Sequence, residues 1–419
     1  MKRNEKRALP VILLAIFLDL VCNGILVPIV PQLLADPTST FYLLPAGIPI
    51  SYSYIILGLL ISAFPVFMFF STPILGEYSD RVGRRKVMTL ALAGTALSLG
   101  MFAVGVMMKS LTLLFIARIL GGIMGGNLSV AQAAIADITP RNKRAARFGL
   151  IGAAYGFGFI IGPVIGGLLS SSNIVSWFNA STPFWFAAIL SIINAILVFI
   201  FLEVKPIELN SDSIKTGLNW TKSLANITKA YGMKNIRMVF ATNFLFQAGL
   251  ALFATFFAVF LTSSFGFDQV SIGYYIGYAG IWVIISQGLL LRFLTKRYDE
   301  VTLLRVFLLL GAGSVFLYYI TEHTIGLLIV GACFALTNGI VMAALPSLAS
   351  RRAENKHQGE IMGINTSVQA LAQAIPPILA GFLAAQITPS APIFVAGAVI
   401  GAGWILFIFT VKKEKEIAS

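Results

Sequence analysis

Charge is scarce in this sequence: Asp, Glu, Lys and Arg make up 11% of 419 residues, against roughly a quarter in soluble proteins. A water-facing globular surface is therefore excluded. Only two histidines occur, His323 and His357, and both fall between apolar runs, so no intramembrane histidine cluster supports a metal site. The two cysteines, Cys22 and Cys333, lie in the middle of apolar runs, which argues against a disulfide scaffold and for buried packing thiols. No Gly-Lys-Ser/Thr run opens a helix, so a phosphate-cradling loop and an ATP-driven pump in cis are excluded. Paired deep catalytic groups are also missing, which disfavours a membrane enzyme. Acids are scarcer than bases, 17 against 30. In a soluble chain the resulting net charge of +13 would suggest nucleic acid. Here the bases read as orientation signals flanking membrane helices, and no nucleic-acid partner is expected.

What is abundant is apolar: 58% of residues are hydrophobic and the mean hydropathy is +0.88. Apolar runs fall near 8–34, 51–74, 87–108, 111–136, 146–170, 182–203, 236–262, 270–292, 301–320, 325–348, 359–387 and 391–411. Each is long enough to cross a bilayer, which takes about 20 residues. The fold class is therefore an all-α polytopic membrane protein of twelve transmembrane helices. Met1–Arg7 before the first run resembles a signal peptide, but the run continues past Asp19 to Leu34 without a small-x-small cleavage site, so it reads as the first helix. With the start placed inside, 28 of the 30 Lys and Arg fall in inner segments, the exceptions being Lys109 and Arg118. Both termini are expected to be cytoplasmic.

The chain also repeats. Gly158–Gly167 in helix five has a degraded echo in Ala372–Gly381 of helix eleven, 214 positions later, and Arg84-Arg85 recurs as Lys296-Arg297. Two parallel six-helix bundles are expected, 1–204 and 236–419, joined by a polar cytoplasmic linker over 205–235 with a short surface helix at 223–231. A parallel repeat places a substrate site at the repeat interface near the midplane. That favours a transporter over a receptor or an enzyme.

One acid stands at depth. Asp19 lies about 11 residues into helix one, roughly 17 Å from the inner face, and such carboxylates mark ion or proton pathways. Arg118 is the one base at depth, roughly 10 Å below the outer face on helix four. A core about 30 Å thick puts the two within a helical turn of the same layer. Two readings follow: Asp19 exchanges a proton while Arg118 tunes its proton affinity, or the two form a permanent ion pair holding helices one and four.

The loop Gly76-Glu-Tyr-Ser-Asp80-Arg81-Val-Gly83-Arg84-Arg85-Lys86 joins helices two and three. Its glycines permit a tight turn and close helix approach. This loop resembles motif A of the major facilitator superfamily, and the resemblance covers essentially the whole chain. Arg118 with Gly121, Gly122, Gly125 and Gly126 is similar to the family's motif B region. Gly158, Gly162, Pro163, Gly166 and Gly167 resemble motif C of its drug–proton antiporters. Asp19 through Asn23-Gly24 to Pro28 and Pro31 is similar to the tetracycline-exporter-like branch with twelve helices. The resemblance implies that Gly76, Asp80, Arg81, Gly83, Arg84 and Arg85, with Asp137 at the end of helix four, form a cytoplasmic latch. It implies that Arg118 belongs to proton coupling, and that Gly162-Pro163 bends helix five and lets it pack closely. Arg292 stands where the second-half copy of motif A should carry its acid, so the latch is expected to be asymmetric. Apart from these, the small-x-x-x-small pairs Gly121/Gly125 and Gly152/Gly156 read as close helix packing.

Amides supply the remaining polarity at depth: Asn23, Asn127, Asn243, Gln247, Asn338, Asn365, Gln369 and Gln373. Each is a candidate either for substrate contact or for cross-linking helices by hydrogen bonds. An amide-rich lining with abundant Phe suits a small amphipathic, neutral-to-cationic organic compound better than an anion. The expected function is proton-coupled efflux of such a compound by alternating access, with protons as coupling ion and no other cofactor. The chain is expected to work as a monomer in the lipid bilayer of a bacterial inner membrane. An uptake permease or facilitator of the same fold, and a non-transporting receptor, remain the alternatives.

Overall fold

The computed structural model describes residues 3–39, 41–45, 47–139, 144–202, 222–233, 236–352 and 358–411. Among the described residues all regular secondary structure is helical. Twelve helical stretches, from Ala8–Ala35 to Ala391–Thr410, are long and apolar enough to cross a membrane. They coincide with the twelve apolar runs to within a few residues, apart from longer ends on some helices. The protein is a multi-pass integral membrane protein.

The first span is α1 (Arg3–Ile25) followed by a short α2 (Val30–Ala35). Spans two and three are α3 (Ile50–Val82) and α4 (Arg84–Met107). The fourth is divided into α5 (Leu111–Met124) and α6 (Asn127–Asp137), and spans five and six are α7 (Arg144–Ser170) and α8 (Thr182–Phe201). The linker contributes α9 (Lys222–Gly232), close to the expected 223–231. Span seven is α10 (Arg237–Phe265). Span eight joins α11 (Gln269–Ile285), a π-helical turn over Ser286–Leu290 and α12 (Leu291–Leu294). The last four are α13 (Glu300–Ile320), α14 (Thr324–Arg351), α15 (Gln358–Ala374) with α16 (Pro376–Gln386), and α17 (Ala391–Thr410). The rest of the linker, with Lys205, Lys215 and Lys234, lies outside the described residues, as do Arg141, Lys143, Lys356, His357 and Lys412.

Three spans are broken where the chain cannot continue a hydrogen-bond ladder. A proline has no N–H to donate: Pro28 sits in the turn after α1, and Pro376-Pro377 open α16. In span four the break falls at Gly125-Gly126, where helix propensity is lowest short of proline. Pro163, by contrast, lies inside an unbroken α7.

Contacts divide the chain into two compact units. The first comprises Met1–Ala46, Ala63–Lys222 and Asp268–Gly277; the second comprises Gly47–Ser62, Ser223–Phe267 and Tyr278–Ser419. The first unit's core is a seam of Ala8, Ile12, Ala15 and Ile16 on α1 against Val130, Ala131, Ala134 and Ile135 on α6, closed by Met88, Leu92 and Val198. These spacings of three and four are one helical face each. Asn194 of α8 donates to the Ala15 carbonyl at 3.0 Å and pins α8 to the same seam. The second unit is aromatic: Phe253 stacks on Phe257 at 4.5 Å, and both meet Tyr318. Its opening segment packs Tyr54 edge-on to Phe256, and Ser62 donates to the Ala374 carbonyl.

Cys22 is buried, its thiol facing the Ala187 carbonyl at 3.4 Å, but Cys333 is exposed on α14. Reading both as buried was wrong for Cys333. A membrane helix presents apolar residues to lipid as well as to its core, so an apolar neighbourhood in sequence does not imply burial.

Candidate functional site

The α1 face that carries Ala8, Ile12, Ala15 and Ile16 continues one step to Asp19, and the α6 face of Val130, Ala131 and Ala134 runs back to Asn127. The two seams end on each other: Asn127 hydrogen-bonds the Asp19 carboxyl. Asn127 is 1% exposed and its side-chain oxygen has no hydrogen-bond partner among the described residues, so its amide N–H is the group that meets this carboxyl. One turn further along α1, Asn23 donates to the Asp19 backbone carbonyl at 2.9 Å. Two of the amide candidates are thereby absorbed into the acid's own surroundings.

Arg118 is not part of that pair. Its guanidinium lies over the Phe64 ring, 4.9 Å from the centroid, a cation–π contact. No ion pair joins it to Asp19 among the described residues. Arg118 does not share the layer of Asp19, contrary to the depth expected from sequence. Asn127, level with Asp19, is nine residues beyond Arg118 on span four, about 13 Å of helix. The depth arithmetic assumed a helix just long enough to cross. Span four runs from Leu111 to Asp137, 27 residues, so Arg118 is about 28 Å from its far end. The permanent Asp19–Arg118 pair falls with it.

At the α3–α4 junction Gly83 takes φ +106°, a conformation L side chains rarely adopt, and lets α4 restart at Arg84. That turn delivers Arg84 into a nest of acceptors. Its guanidinium pairs with Asp80, bonds Asp137 at 2.9 Å through Nε, and donates to Ser79 at 2.5 Å and to the Gly76 carbonyl at 3.3 Å. Arg84 is 8% exposed, and a fork with three nitrogens in fixed geometry suits this cluster. Arg81 pairs instead with Glu77 on its own helix at 2.6 Å, and Arg85 stacks on Phe199. Gly76 contributes its carbonyl; a Cβ there would meet only the Ser129 hydroxyl at 3.7 Å, so close helix approach is not its role. A lysine cannot reproduce the fork. Arg84→Lys is expected to cost about 2 kcal/mol, the scale of a charged hydrogen bond left unmade, read as lowered thermal stability in detergent.

Sequence reading missed Ser79, a buried hydroxyl that also donates to the Gly76 carbonyl at 2.6 Å. It also missed a counterpart in the second half. Glu300, at the start of α13, pairs with Arg351, at the end of α14, at 3.1 Å and accepts from Ser347 at 2.8 Å. Glu300 and Arg351 stand 216 and 214 positions after Arg84 and Asp137. The ion pair is thus repeated with its charges exchanged, and a search for like residues at the repeat offset passes over it.

The helix-five glycines are steric requirements. A Cβ on Gly158 would sit 2.6 Å from the Leu20 Cβ, one on Gly162 2.8 Å from the Gly24 Cα and the Val21 carbonyl, and one on Gly166 against the Ile25 carbonyl. These three seat α7 against α1 directly beside Asp19. The other face meets α11: Gly167 abuts the Gln269 carbonyl, while Gly273 abuts that of Pro163, each with a Cβ clearance of 2.5 Å. In span four, Gly122, Gly125 and Gly126 admit Phe64, Thr72 and Leu75 of α3. Gly152 has open space around it, so the close-packing reading of the Gly152/Gly156 spacing does not hold at that residue.

The remaining amides divide by partner. Asn243 donates to Asn365 at 2.8 Å, both buried, and so bolts α10 to α15. Asn338 returns to the Phe334 carbonyl of its own helix at 2.8 Å. Gln247, Gln369 and Gln373 have no side-chain hydrogen bond among the described residues. Among those residues no cluster of three His, Cys, Asp or Glu side chains is placed to hold a metal.

Twelve helices long and apolar enough to cross a membrane, with one acid at depth among the described residues and glycine seams that let helices meet backbone to backbone, define a polytopic helical membrane protein. The Major Facilitator Superfamily profile matches residues 12–377, and the chain belongs to that family. It is 30% identical over 383 residues to the class E tetracycline resistance protein of Escherichia coli, covering 90% of this chain and 88% of the relative. It is 28% identical to multidrug resistance protein 2 of Bacillus subtilis, covering 99% and 98%. Among solved structures, the human organic anion transporter MFSD10 superposes with a TM-score of 0.73 at 24% identity, covering 96% of this chain and 99% of that one. The D-xylose-proton symporter superposes at 0.75 and 16%, covering 96% and 97%. Those two likenesses establish the shared fold.

Proposed function

We propose that this transporter exports a small amphipathic organic compound in exchange for protons, with Asp19 as the carboxyl that takes up and releases the proton. The observation that carries this reading is the partner of Asp19. A neutral amide donor can stay with a carboxyl in either protonation state, since a protonated carboxyl keeps an acceptor oxygen. A guanidinium pair would have held it ionised. Membrane carboxyls of this kind mark proton relays, and inward movement of one proton supplies about 2.3 kcal/mol per 100 mV. Relatives named for tetracycline and multidrug resistance support the substrate class and the direction.

In this reading the rocking bodies are the six-helix halves 1–204 and 236–419, the linker and both termini are cytoplasmic, and the protein works as a monomer in a bacterial inner membrane. The Arg84 cluster serves as the cytoplasmic latch, and Arg118 acts on coupling at a distance. Protons are the coupling ion and no bound cofactor takes part. Gln247, Gln369 and Gln373 are the amides available to substrate. Gln247→Leu and Gln369→Leu are each expected to raise KM about fivefold, the weight of one hydrogen bond. Asn243→Leu is expected to lower thermal stability instead.

The test is uptake of tetracycline and a panel of amphipathic cations into proteoliposomes with an acid lumen. Accumulation above the outside concentration, abolished by a protonophore, supports the antiporter. Equilibration without response to the pH gradient supports a facilitator, and binding without movement supports a receptor.

A further inference from the structure

A groove of about 950 Å³ runs along the outward faces of α4 and α8. The two helices pack antiparallel along their whole length: Phe102 meets Phe184, Ser191 donates to the Leu92 carbonyl, and Arg85 meets Phe199. Small residues, Ala93, Ala96 and Gly100, make its floor, and Leu97, Ile192 and Ile196 its walls. The three wall residues are 49–60% exposed, so the groove opens to whatever surrounds the membrane-spanning faces. From Thr89 to Val104 it extends over 15 residues, about 22 Å, more than half of a hydrocarbon core about 30 Å thick. Its lining is otherwise apolar.

One end differs in chemistry. Phe199 lines it, and the Arg85 guanidinium rests on that ring, 4.8 Å from the centroid. No carboxylate pairs with Arg85 among the described residues, its Nε has no hydrogen-bond partner, and neither has the hydroxyl of Thr89 beside it. Lys86, the next residue, is exposed. Two cations and an unsatisfied hydroxyl therefore stand where an apolar channel meets the membrane boundary. Arg84, one position earlier, has its charge compensated by Asp80 and Asp137. That contrast sets Arg85, without an ion-pair partner among the described residues, apart from the rest of the basic loop.

We propose that this groove is a binding site for one anionic phospholipid, an acyl chain lying between α4 and α8 and the phosphate received by Arg85, Lys86 and Thr89. Both ends match such a lipid: the channel is lined by apolar side chains, and among the described residues its mouth carries the cations Arg85 and Lys86. A zwitterionic lipid brings its own cation to a site that already holds two. The proposal does not depend on proton coupling or on the direction of transport.

Native mass spectrometry of the full-length protein in non-ionic detergent tests it, with phosphatidylglycerol and phosphatidylcholine of identical chains as probes. The parent is expected to retain one phosphatidylglycerol at least fivefold more tightly than phosphatidylcholine. Arg85→Gln is expected to lose about fivefold in phosphatidylglycerol affinity, the weight of one basic residue against an anionic lipid. It should leave phosphatidylcholine unchanged. Ala93→Leu, at an exposed position on the floor, keeps the cations and blocks the channel, so it should weaken both lipids and serves should Arg85→Gln fail to fold. Equal affinity of the parent for the two lipids, or parental retention of phosphatidylglycerol in either variant, would overturn the site.

Discussion

Asp19→Asn is expected to abolish uphill transport while leaving the folded protein intact. Asparagine matches aspartate in shape and its side-chain oxygen can still accept from Asn127, so the α1–α6 seam keeps its closing hydrogen bond. The apolar seam below it, Ala8 through Ile16 against Val130 through Ile135, is untouched. What the variant lacks is a group that gains and loses a proton. In one-for-one exchange, a gradient of one pH unit sustains about a tenfold substrate ratio, since tenfold corresponds to about 1.4 kcal/mol. The parent should approach that ratio in proteoliposomes and Asp19→Asn should stay at unity. Downhill exchange of labelled for unlabelled substrate should persist in the variant. Its loss together with lowered thermal stability would mean that Asp19 is a structural acid.

The second large effect is steric. Gly162→Ala places a Cβ 2.8 Å from two backbone atoms of α1, Gly24 Cα and the Val21 carbonyl oxygen. Backbone cannot rotate away as a side-chain tip can, so α1 and α7 must separate, and overpacking of this kind costs about 1–3 kcal/mol. Gly162→Val should cost more and eliminate transport, because the displaced segment adjoins Asp19. Gly152→Ala on the same helix is the control. Its Cβ enters open space, and replacing a helical glycine by alanine gains up to about 1 kcal/mol. Thermal unfolding in detergent should therefore move in opposite directions for the two alanine variants. Equal shifts would show that the helix-five glycines are not there for close approach.

The twelve spans were legible because crossing a bilayer imposes a length and a hydropathy that few other constraints can mimic. Asp19 was legible for the same reason: a carboxylate inside an apolar run has no bland explanation in composition. Its partner was not, since depth arithmetic treats every helix as straight and just long enough. Span four, at 27 residues and broken at Gly125-Gly126, violates both assumptions. The amides looked equivalent in sequence, yet Asn243 pairs with Asn365 while Gln247 makes no side-chain hydrogen bond among the described residues. That distinction depends on which helix faces which, and periodicity fixes a face without naming its neighbour. The Glu300–Arg351 pair escaped because electrostatics conserves the product of two charges and leaves their order open.

Proton release on substrate binding examines the role of Asp19 without requiring turnover. Purified protein in weakly buffered detergent solution, mixed with saturating tetracycline or the best substrate of the panel, should release about one proton per molecule from the parent and none from Asp19→Asn. Parental proton release by Asp19→Asn, with substrate affinity retained, would contradict the account and place the exchanging group elsewhere in the chain.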